Sequence, residues 1–462
     1  MLYPHYGDRV CHHRWVTLPA RAPRVLLVGA YERDNFGDLL FLLVTERYLE
    51  GADVVAAAPF SADMRHLLGR EIPAYGPLLQ ADAFNAIWTV GGQLGRIDLR
   101  RAYRMSASPE AWRSFAAASE AEQADRLRRE IGDAPIMSPY IPLPFAFPRN
   151  AGAVTVLNSV GVAGVRGIEP VRREAIVAAL RGATSITVRD RGSSRFLTEL
   201  EIEHRLAPDA VHALGVLDPR GRADAGDVAI VQISKSRLRL LGHAAVGAAI
   251  ARSPQLARRP VRLMLAGTAT GHDAIDDYEL VRRAARGVEI EILDERRPLE
   301  LADHIRRARV VIATSLHARV VAAAYGVPRV SLAKPKPTRY AKHWDPDMPF
   351  DVTLEGLDAA IAAACLRAAD PAAVEHSERL ALAAHENLEA LARLVLAEAD
   401  PAGVAQRLAS RHHDQLGALA GHLAAQESEL ARLRHDVERL RGQARWRRPL
   451  RLSRLSRLTK ST

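Results

Sequence analysis

Short, continuously apolar segments alternate with segments of helical spacing along the first three quarters of the chain. Apolar runs this short, rich in β-branched side chains, are typical of strands buried on both faces of a parallel sheet. The first series of predicted strands occupies residues 25–29, 86–90, 154–158 and 185–188. Helices are predicted between them, among others over residues 39–49 and 169–180. This alternation predicts an α/β domain over residues 24–217.

The same alternation begins again after a polar linker at residues 218–227. Its predicted strands occupy residues 228–232, 261–265, 288–292, 310–313 and 329–332. Two such series joined by a linker predict two Rossmann-like domains that face each other across a cleft. The second domain is expected over residues 228–350. Residues 351–400 are predicted as two helices that pack on the body, and residues 1–23 as an irregular leader.

An insertion interrupts the first series at residues 100–150. One helix is predicted over residues 109–131, followed by a loop that contains Pro139, Pro142, Pro144 and Pro148. Long loops of this kind in compact domains are often functional. We therefore expect a lid or a wall of the binding cleft here.

The segment 405–445 has apolar residues at alternating spacings of three and four. The positions are Leu416, Leu419, Leu423, Gln426, Leu430, Leu433, Val437, Leu440 and Ala444. This pattern predicts a coiled coil that joins two copies of the chain, with Gln426 as a register-setting residue. A helix folded against the chain's own surface is the alternative. Residues 446–462 place Trp446 and several leucines among arginines, which predicts a basic amphipathic tail at an anionic membrane surface.

Net charge and cysteine content exclude several classes of protein. The formal net charge is +10, but residues 445–462 contain seven basic residues and no acidic one, which leaves 10 − 7 = +3 for the other 444 residues. The basic charge therefore belongs mainly to the tail and does not predict nucleic-acid binding. Cys11 and Cys365 lack redox or metal-ligand spacing, and no segment has the apolar length of a membrane span. These features predict a cytoplasmic chain without a metal.

Polar residues and glycines follow the predicted strands. They are Asn35, Gly37, Asp38, Gly91, Gly92, Asn158, Arg189, Gln232, His272 and His317. Open α/β sheets bind their ligands at the carboxyl ends of the strands, so we expect these residues to line one cleft. Gly37 and the Gly91–Gly92 pair allow a ligand or another backbone to approach closely. Asn35 and Asp38 fit equally well as caps of the first helix.

The turn after the predicted strand 310–313 places Thr314, Ser315 and His317 at the start of a helix. Free N–H groups and the helix dipole at such a position attract anions and lower the pKa of an imidazole. His317 is therefore suited to hold an acidic substrate and to move a proton. The alternative is that Ser315 only caps the helix and that His317 is a packed side chain.

Two basic regions could bind an acidic substrate. Arg189 ends a predicted strand, where a guanidinium can bind a carboxylate or phosphate through two N–H groups, and Asp190 could cap the next helix and orient Arg189. A surface ion pair is the alternative. The basic and aromatic connector 334–347 offers Arg339 and Lys342, or is only a solvated linker. The glycine triplet of a dinucleotide-binding loop is missing, which disfavours a nicotinamide cofactor.

Several of these motifs occur in a fixed order. They are Asn35-x-Gly37-Asp38, Gly91-Gly92, Arg189-Asp190, Pro208-Asp209, Ser315-Leu316-His317-Ala318 and Gly326-x-Pro328. With this order and spacing, the chain resembles the polysaccharide pyruvyl transferase family over roughly residues 24–345.

The resemblance implies the two-domain glycosyltransferase-B fold, phosphoenolpyruvate as donor, no cofactor, and a sugar of a cell-envelope or exported polysaccharide as acceptor. It also implies that Arg189 binds the donor and that His317 transfers a proton. Many members carry an arginine two residues before this histidine, where the present chain has Ser315. Ser315 is still expected among the donor-binding residues, but binding of the donor anions is then expected to depend on Arg189, on the basic connector, or on Arg319.

The chemistry of ketal formation fits these residues. His317 would protonate the methylene carbon of phosphoenolpyruvate, and Asp38 would act as base for the acceptor hydroxyl. A lipid-linked or polymeric sugar, met at the inner face of the cell membrane, is the expected acceptor. A glycosyltransferase of the same architecture with a nucleotide-sugar donor is the main alternative, and a non-enzymatic coiled-coil scaffold is the other.

Overall fold

The computed structural model describes residues 22–132, 138–221, 224–269, 272–398 and 439. The chain divides into two units, residues 1–404 and residues 405–462, and the following sections concern the first. The predicted coiled coil over residues 405–445 lies outside the described residues except for Arg439. The basic tail over residues 446–462 and almost all of the leader over residues 1–23 also lie outside them.

Strands alternate with helices through the described part of the chain. The strands are β1 Arg24–Val28, β2 Asp53–Ala57, β3 Ala62–Asp63, β4 Glu71–Ile72, β5 Ala86–Val90, β6 Val154–Val160, β7 Ser185–Val188, β8 Arg205–Leu206, β9 Ala229–Gln232, β10 Val261–Leu263, β11 Ile290–Ile292, β12 Val310–Ala313 and β13 Arg329–Ser331. Every strand in the first predicted series, and every strand in the second, is found within a few residues of its predicted position.

The helices fall between these strands and after the last of them. They are α1 Phe36–Glu46, α2 Arg65–Leu68, α3 Tyr75–Ala81, α4 Leu99–Ser106, α5 Pro109–Ala117, α6 Glu120–Ile131, α7 Pro170–Arg181, α8 Arg191–Glu199, α9 Leu214–Leu217, α10 Lys235–Leu241, α11 His243–Arg252, α12 Pro254–Ala257, α13 Ile275–Ala284, α14 Pro298–Arg306, α15 Leu316–Ala324, α16 Pro335–Trp344, α17 Leu357–Ala368 and α18 Pro371–Glu398. Short 3-10 helices occur at Pro144–Ala146, Pro148–Asn150, Ala163–Gly167 and Ala210–Ala213.

Two parallel sheets form the body of the described chain. The first has the strand order β2-β1-β5-β6-β7-β8 and the second the order β11-β10-β9-β12-β13. The central strands β5, β6, β9 and β12 are buried along their whole length, as continuous apolar runs between two helical layers require. The predicted α/β fold with two Rossmann-like halves of glycosyltransferase-B type is confirmed.

The two halves share one hydrophobic core. Leu27 and Trp88 of the first sheet belong to the same buried cluster as Val311 and Val320 of the second half. A backbone hydrogen bond of 2.9 Å from Phe36 N to Ala266 O also joins the loop after β1 to the loop after β10. The carboxyl ends of strands from both halves therefore meet in one region.

The insertion at residues 100–150 differs from its prediction. The single helix expected over residues 109–131 is two helices, α5 and α6, preceded by α4. Helix α6 begins at a capping box in which Ser119 accepts a hydrogen bond from Glu122 N, and the Glu122 side chain accepts one from Ser119 N. A Ser-x-x-Glu sequence starts a new helix in this way, and here it separates α6 from α5.

The long helix α18 returns to the first half of the chain. Asn387 Nδ2 donates to Asn158 Oδ1 at 3.1 Å, and Thr187 donates to Asn387 Oδ1 at 3.3 Å. Tyr48 and His385 form a further hydrogen bond of 2.8 Å. Among the described residues, no helix combines the length and apolarity that crossing a membrane requires.

Candidate active site

The turn between β12 and α15 is held by Gln232, the last residue of β9. Its side-chain oxygen accepts hydrogen bonds from Ser315 N at 2.8 Å and Thr314 N at 3.2 Å, and its amide nitrogen donates to Asp273 at 2.8 Å. Ser315 then caps α15 by accepting from Ala318 N. Gln232, which was expected to line the cleft, is thus a support of the turn, and Ser315, which was expected to bind the donor, has the capping role that was its alternative. Together they fix the helix start that carries His317.

His317 lies on the first turn of α15 and is only 6% exposed. Its imidazole packs directly against Gly37 of α1, where a Cβ atom would lie 1.6 Å from His317 Nδ1. The predicted close approach at Gly37 is therefore real, and the approaching group is the imidazole itself. On the other side of the ring, His317 Nε2 lies 3.4 Å from Arg189 Nη1 and 3.7 Å from Asp209 Oδ2.

Arg189 is also buried and lies at the end of β7, as predicted. Its Nη1 forms an ion pair with Asp209, whereas its Nη2 has no hydrogen-bond partner among the described residues. The guanidinium carbon lies 5.2 Å from the centre of the Phe41 ring, which also meets His317 edge-on at 5.0 Å. Phe41 therefore supports both functional side chains.

Phe41 can occupy this position because Gly91 has no side chain. A Cβ atom on Gly91 would lie 2.1 Å from the Phe41 ring, and the backbone there has a φ of +73°, which favours glycine. Gly91 was expected to make room for a ligand or a backbone. In the structure it makes room for the aromatic ring under Arg189.

Asp209 is the anion at the centre of the cluster, and its only predicted place was in a Pro-Asp motif. Its backbone N–H donates to Tyr340 Oη at 3.0 Å, and one carboxylate oxygen accepts from Val211 N at 3.1 Å. Burial alone would raise the pKa of Asp209, but Arg189 and His317 outweigh it and hold that pKa well below the usual range. Asp209 is thus charged at neutral pH and forms a buried ion pair with Arg189.

The environment also lowers the pKa of His317. Burial is the main cause, and the positive charges of Arg189 and Lys336 act in the same direction, while Asp209 opposes them. The direction agrees with the prediction from helix position, although burial is the larger cause. Nε2 faces both a donor, the Arg189 guanidinium, and an acceptor, the Asp209 carboxylate. A negative charge brought to the site would favour the imidazolium.

Asp38 lies next to this cluster and pairs with Arg33, which the sequence did not indicate. Arg33 Nη2 donates to Asp38 Oδ2 at 2.9 Å. Burial would raise the pKa of Asp38, but Arg33, His317 and Lys336 lower it below its usual value. Both residues line a small cavity of about 20 Å³, partly open to solvent, together with Gly91, Gly92 and Tyr140.

Comparison with known proteins identifies the family of this chain. The family model of the polysaccharide pyruvyl transferases, described as "Polysaccharide pyruvyl transferase", matches residues 35–333. The chain belongs to the polysaccharide pyruvyl transferase family. It is therefore a transferase enzyme of polysaccharide biosynthesis, and the matched region contains the whole cluster from Asp38 to His317. A search of curated protein sequences returns no match.

Solved structures with similar folds include sugar-nucleotide enzymes. A putative UDP-N-acetylglucosamine 2-epimerase from Listeria monocytogenes has 11% identity, with a TM-score of 0.47, over 80% of this chain and 96% of its own. The corresponding epimerase of Methanocaldococcus jannaschii has 10% identity and a TM-score of 0.43 over 77% and 97%. A spinosyn rhamnosyltransferase has 14% identity and a TM-score of 0.39 over 81% and 99%. At these values the likenesses say nothing about activity.

Three predicted donor ligands of this pyruvyl transferase family member have surroundings that differ from those of Arg189. Arg319 is 1% exposed, and its guanidinium is bonded to Ser331 Oγ, to three backbone carbonyls and to the Asp345 carboxylate. Arg339 and Lys342 are exposed. The connector 334–347 that carries them is not a linker, because most of it forms α16. None of the three is part of the donor site proposed below.

Other predicted residues have local structural roles. Asn35 caps α1 by accepting from Gly37 N at 3.2 Å. Asp190 caps α8 and accepts from the Ser193 hydroxyl, so it does not orient Arg189. Asn158 was expected in the cleft, but β6 continues past it to Val160, and its side chain bonds to Asn387 of α18.

The second half contributes further polar groups to the region around Asp38. His272 is half-buried, and burial lowers its pKa, an effect that Asp38 partly offsets. Asp273 accepts from Gln232, and burial raises its pKa to about 6. Within the described residues, no group of three His, Cys, Asp or Glu side chains could hold a metal ion.

Proposed function

We propose that this enzyme transfers the pyruvyl group of phosphoenolpyruvate to a sugar of a cell-envelope or exported polysaccharide, forms a ketal and releases phosphate. The observation that carries the proposal is the buried Arg189–Asp209–His317 cluster, in which Arg189 Nη2 has no partner among the described residues. A buried N–H donor without a partner is costly unless a ligand satisfies it. Phosphoenolpyruvate has a carboxylate and a phosphate, and either can accept from this donor.

The reaction begins with protonation of the donor. His317, as imidazolium, transfers a proton to the methylene carbon, which becomes a methyl group, and positive charge develops at the neighbouring carbon. The oxygen of one sugar hydroxyl bonds to that carbon and loses its proton. A second hydroxyl oxygen then bonds to the same carbon as the carbon–oxygen bond to phosphate breaks. The bond electrons leave with the phosphate, and the second hydroxyl proton leaves with it or passes to solvent.

The charges around His317 are suited to this cycle. Asp209, 3.7 Å from Nε2, stabilises the imidazolium, and Arg189 beside it disfavours that form. Binding of a donor with several negative charges offsets Arg189 and shifts the balance towards the protonated ring. His317 can therefore take up a proton when the donor binds and give it to the substrate afterwards.

Asp38 is proposed to bind the acceptor hydroxyl. It lines the cavity beside the cluster, and its carboxylate is held by Arg33. Because the pKa of Asp38 is lowered, it accepts a hydrogen bond well but removes a proton weakly. It would orient the hydroxyl and take its proton only as the new carbon–oxygen bond forms.

The proposal also includes how the enzyme assembles and where in the cell it works. We infer a homodimer through the coiled coil at residues 405–445 and peripheral contact of the tail at residues 446–462 with the inner face of the cell membrane. A lipid-linked or polymeric acceptor would be met there.

The test is phosphate release from phosphoenolpyruvate by the purified protein, with and without a mixture of lipid-linked sugars. Acceptor-dependent release that is abolished in His317→Ala is expected, with Lys342→Met as a matched control that retains activity. Full turnover by a folded His317→Ala variant would contradict the role of His317. Stabilisation by a nucleoside diphosphate, with no binding of phosphoenolpyruvate, would contradict the donor.

A further inference from the structure

Helix α16 presents one face to the cluster. Lys336, Tyr340 and Trp344 are spaced by four residues, so they lie on the same side of this helix. Tyr340 Oη accepts from Asp209 N at 3.0 Å, and Trp344 Nε1 donates to Arg189 O at 2.8 Å. Two of the three side chains thus contact the backbone of the Arg189–Asp209 ion pair. The third, Lys336, is one turn closer to the start of the helix on that face.

The charges around Lys336 agree with this position. The ammonium group interacts electrostatically with Arg189, Asp38, Asp209 and Lys334. Its positive charge also lowers the pKa of His317. Burial and the positive charge of Arg189 lower the pKa of Lys336 to about 8, so most molecules carry the charge at neutral pH. The side chain is half-buried, whereas Arg339 and Lys342 of the same helix are exposed.

Two positive features therefore converge at one place. They are the Lys336 ammonium, on the second residue of α16, and the unpartnered Arg189 Nη2. Within the described residues, no hydrogen bond or ion pair occupies the Lys336 ammonium. Like charges placed together in a partly buried site repel each other and are stabilised by an anion.

We propose that Lys336 and Nη2 of Arg189 together bind the phosphate group of the donor. This inference rests on the proposed function and assigns one of the two donor anions to named groups. An ammonium is a compact charge that suits a phosphate, and Arg189 contributes an N–H in a fixed direction. Negative charge on the phosphate oxygens increases as the bond to carbon breaks. Lys336 therefore stabilises the leaving group as well as the bound donor.

The test compares Lys336→Met with Lys342→Met, which removes a lysine from an exposed position of the same helix. Binding of inorganic phosphate and of phosphoenolpyruvate to the full-length protein is measured by calorimetry. We expect Lys336→Met to weaken both roughly tenfold to a hundredfold, as loss of a charged hydrogen bond does, and Lys342→Met to leave both unchanged. Lys336→Arg, which keeps the charge, should restore most of the phosphate affinity.

The outcomes separate this inference from the proposed function. Wild-type binding of both ligands by a folded Lys336→Met variant overturns the role of Lys336 and leaves pyruvyl transfer standing. Lys336-dependent binding of phosphate without binding of phosphoenolpyruvate supports the anion site and contradicts the donor. Binding of neither ligand by the wild type overturns both. Melting temperatures and far-UV circular dichroism of the variants show that each is folded.

Discussion

Arg189 and Arg319 are two equally buried arginines with opposite surroundings. Each is 1% exposed. The guanidinium of Arg319 donates to Ser331 Oγ and to the carbonyls of Asp345, Met348 and Pro349 at 2.9 to 3.0 Å, and its Nε lies 2.8 Å from Asp345 Oδ2.

Arg189, by contrast, has one ion pair, to Asp209, and a close imidazole, that of His317. Its Nη2 has no partner among the described residues. Burial alone therefore does not distinguish the two arginines, but their terminal Nη groups do, since both Nη groups of Arg319 donate and Nη2 of Arg189 donates to no described residue. An Nη group that already donates to the protein is not available to a substrate, whereas one without a partner is.

The largest expected effect is on stability, from Arg319→Met. The change leaves several carbonyls and part of the Asp345 carboxylate without donors, although Arg329 still pairs with Asp345 at 2.6 Å. We expect a loss of about 3 kcal/mol or more in the free energy of unfolding, as for a broken buried ion pair. Urea unfolding measures it. Donor KM of the folded fraction should be unchanged, and a large rise in KM would place Arg319 in the site after all.

The second prediction concerns Arg189→Lys. A lysine keeps a positive charge beside Asp209 but loses the planar fork that carries Nη2. We expect KM for phosphoenolpyruvate to rise roughly tenfold to a hundredfold, with little change in melting temperature. Steady-state kinetics with phosphate release as readout tests it. Wild-type KM in this variant would mean that Nη2 does not meet the donor.

The third prediction uses adjacent glycines. Gly91 and Gly92 both have positive φ, +73° and +83°, so alanine at either should cost about 1 kcal/mol of stability. An added Cβ meets the Phe41 ring at Gly91 but only the end of Leu94 at Gly92. Because Phe41 packs under Arg189, Gly91→Ala should lower kcat/KM for phosphoenolpyruvate more than Gly92→Ala does.

A second change in the Gly91→Ala background sharpens this test. Phe41→Leu removes the ring that the new Cβ would meet, so the double variant should regain part of the lost activity if displacement of Phe41 is the cause. Equal kcat/KM losses in Gly91→Ala and Gly92→Ala would instead attribute the effect to backbone strain.

The smallest expected effect is proton uptake on donor binding. The pKa of His317 is lowered, so the ring is mostly neutral in the free enzyme at pH 7. The negative charge of phosphoenolpyruvate raises that pKa, so binding should take up a fraction of a proton, up to about one. The uptake should vanish as pH falls below the pKa of the free enzyme, where the ring is already charged. Calorimetry in buffers of different ionisation enthalpy measures it, and His317→Gln should abolish it.

Local patterns predicted the architecture and the central turn correctly. The run at 310–313 could only be a buried strand, Ser315 had the chemistry of a cap, and His317 followed at the helix start. Gly37 was expected to allow a close approach, and the structure shows the imidazole there. These features depend on residues that are near in sequence, or on rules for where strands end.

Contacts between distant residues could not be predicted in this way. Asp209 meets Arg189 from 20 positions away and His317 from the other half of the chain. Nothing near Arg319 in sequence shows that carbonyls of the segment 345–349 surround it. Lys336 was missed because the segment 334–347 was interpreted as a connector and not as a helix that follows Pro335 and Pro337. Both prolines lie in the first turn of α16, where a missing N–H costs nothing, so they are compatible with a helix. The four-residue spacing from Lys336 to Tyr340 could therefore have indicated that the two side chains share one face of a helix.

Helix α18 affects the order in which contacts of the folded enzyme can form during synthesis. Asn387 contacts Thr187 and Asn158 across 200 and 229 positions, and His385 contacts Tyr48 across 337. Synthesis delivers the first sheet long before these partners leave the ribosome. The nascent first half therefore exposes the surface that α18 later covers, and its final contacts form only after translation has passed the end of α18. The last described helix thus completes the first-made half of the enzyme.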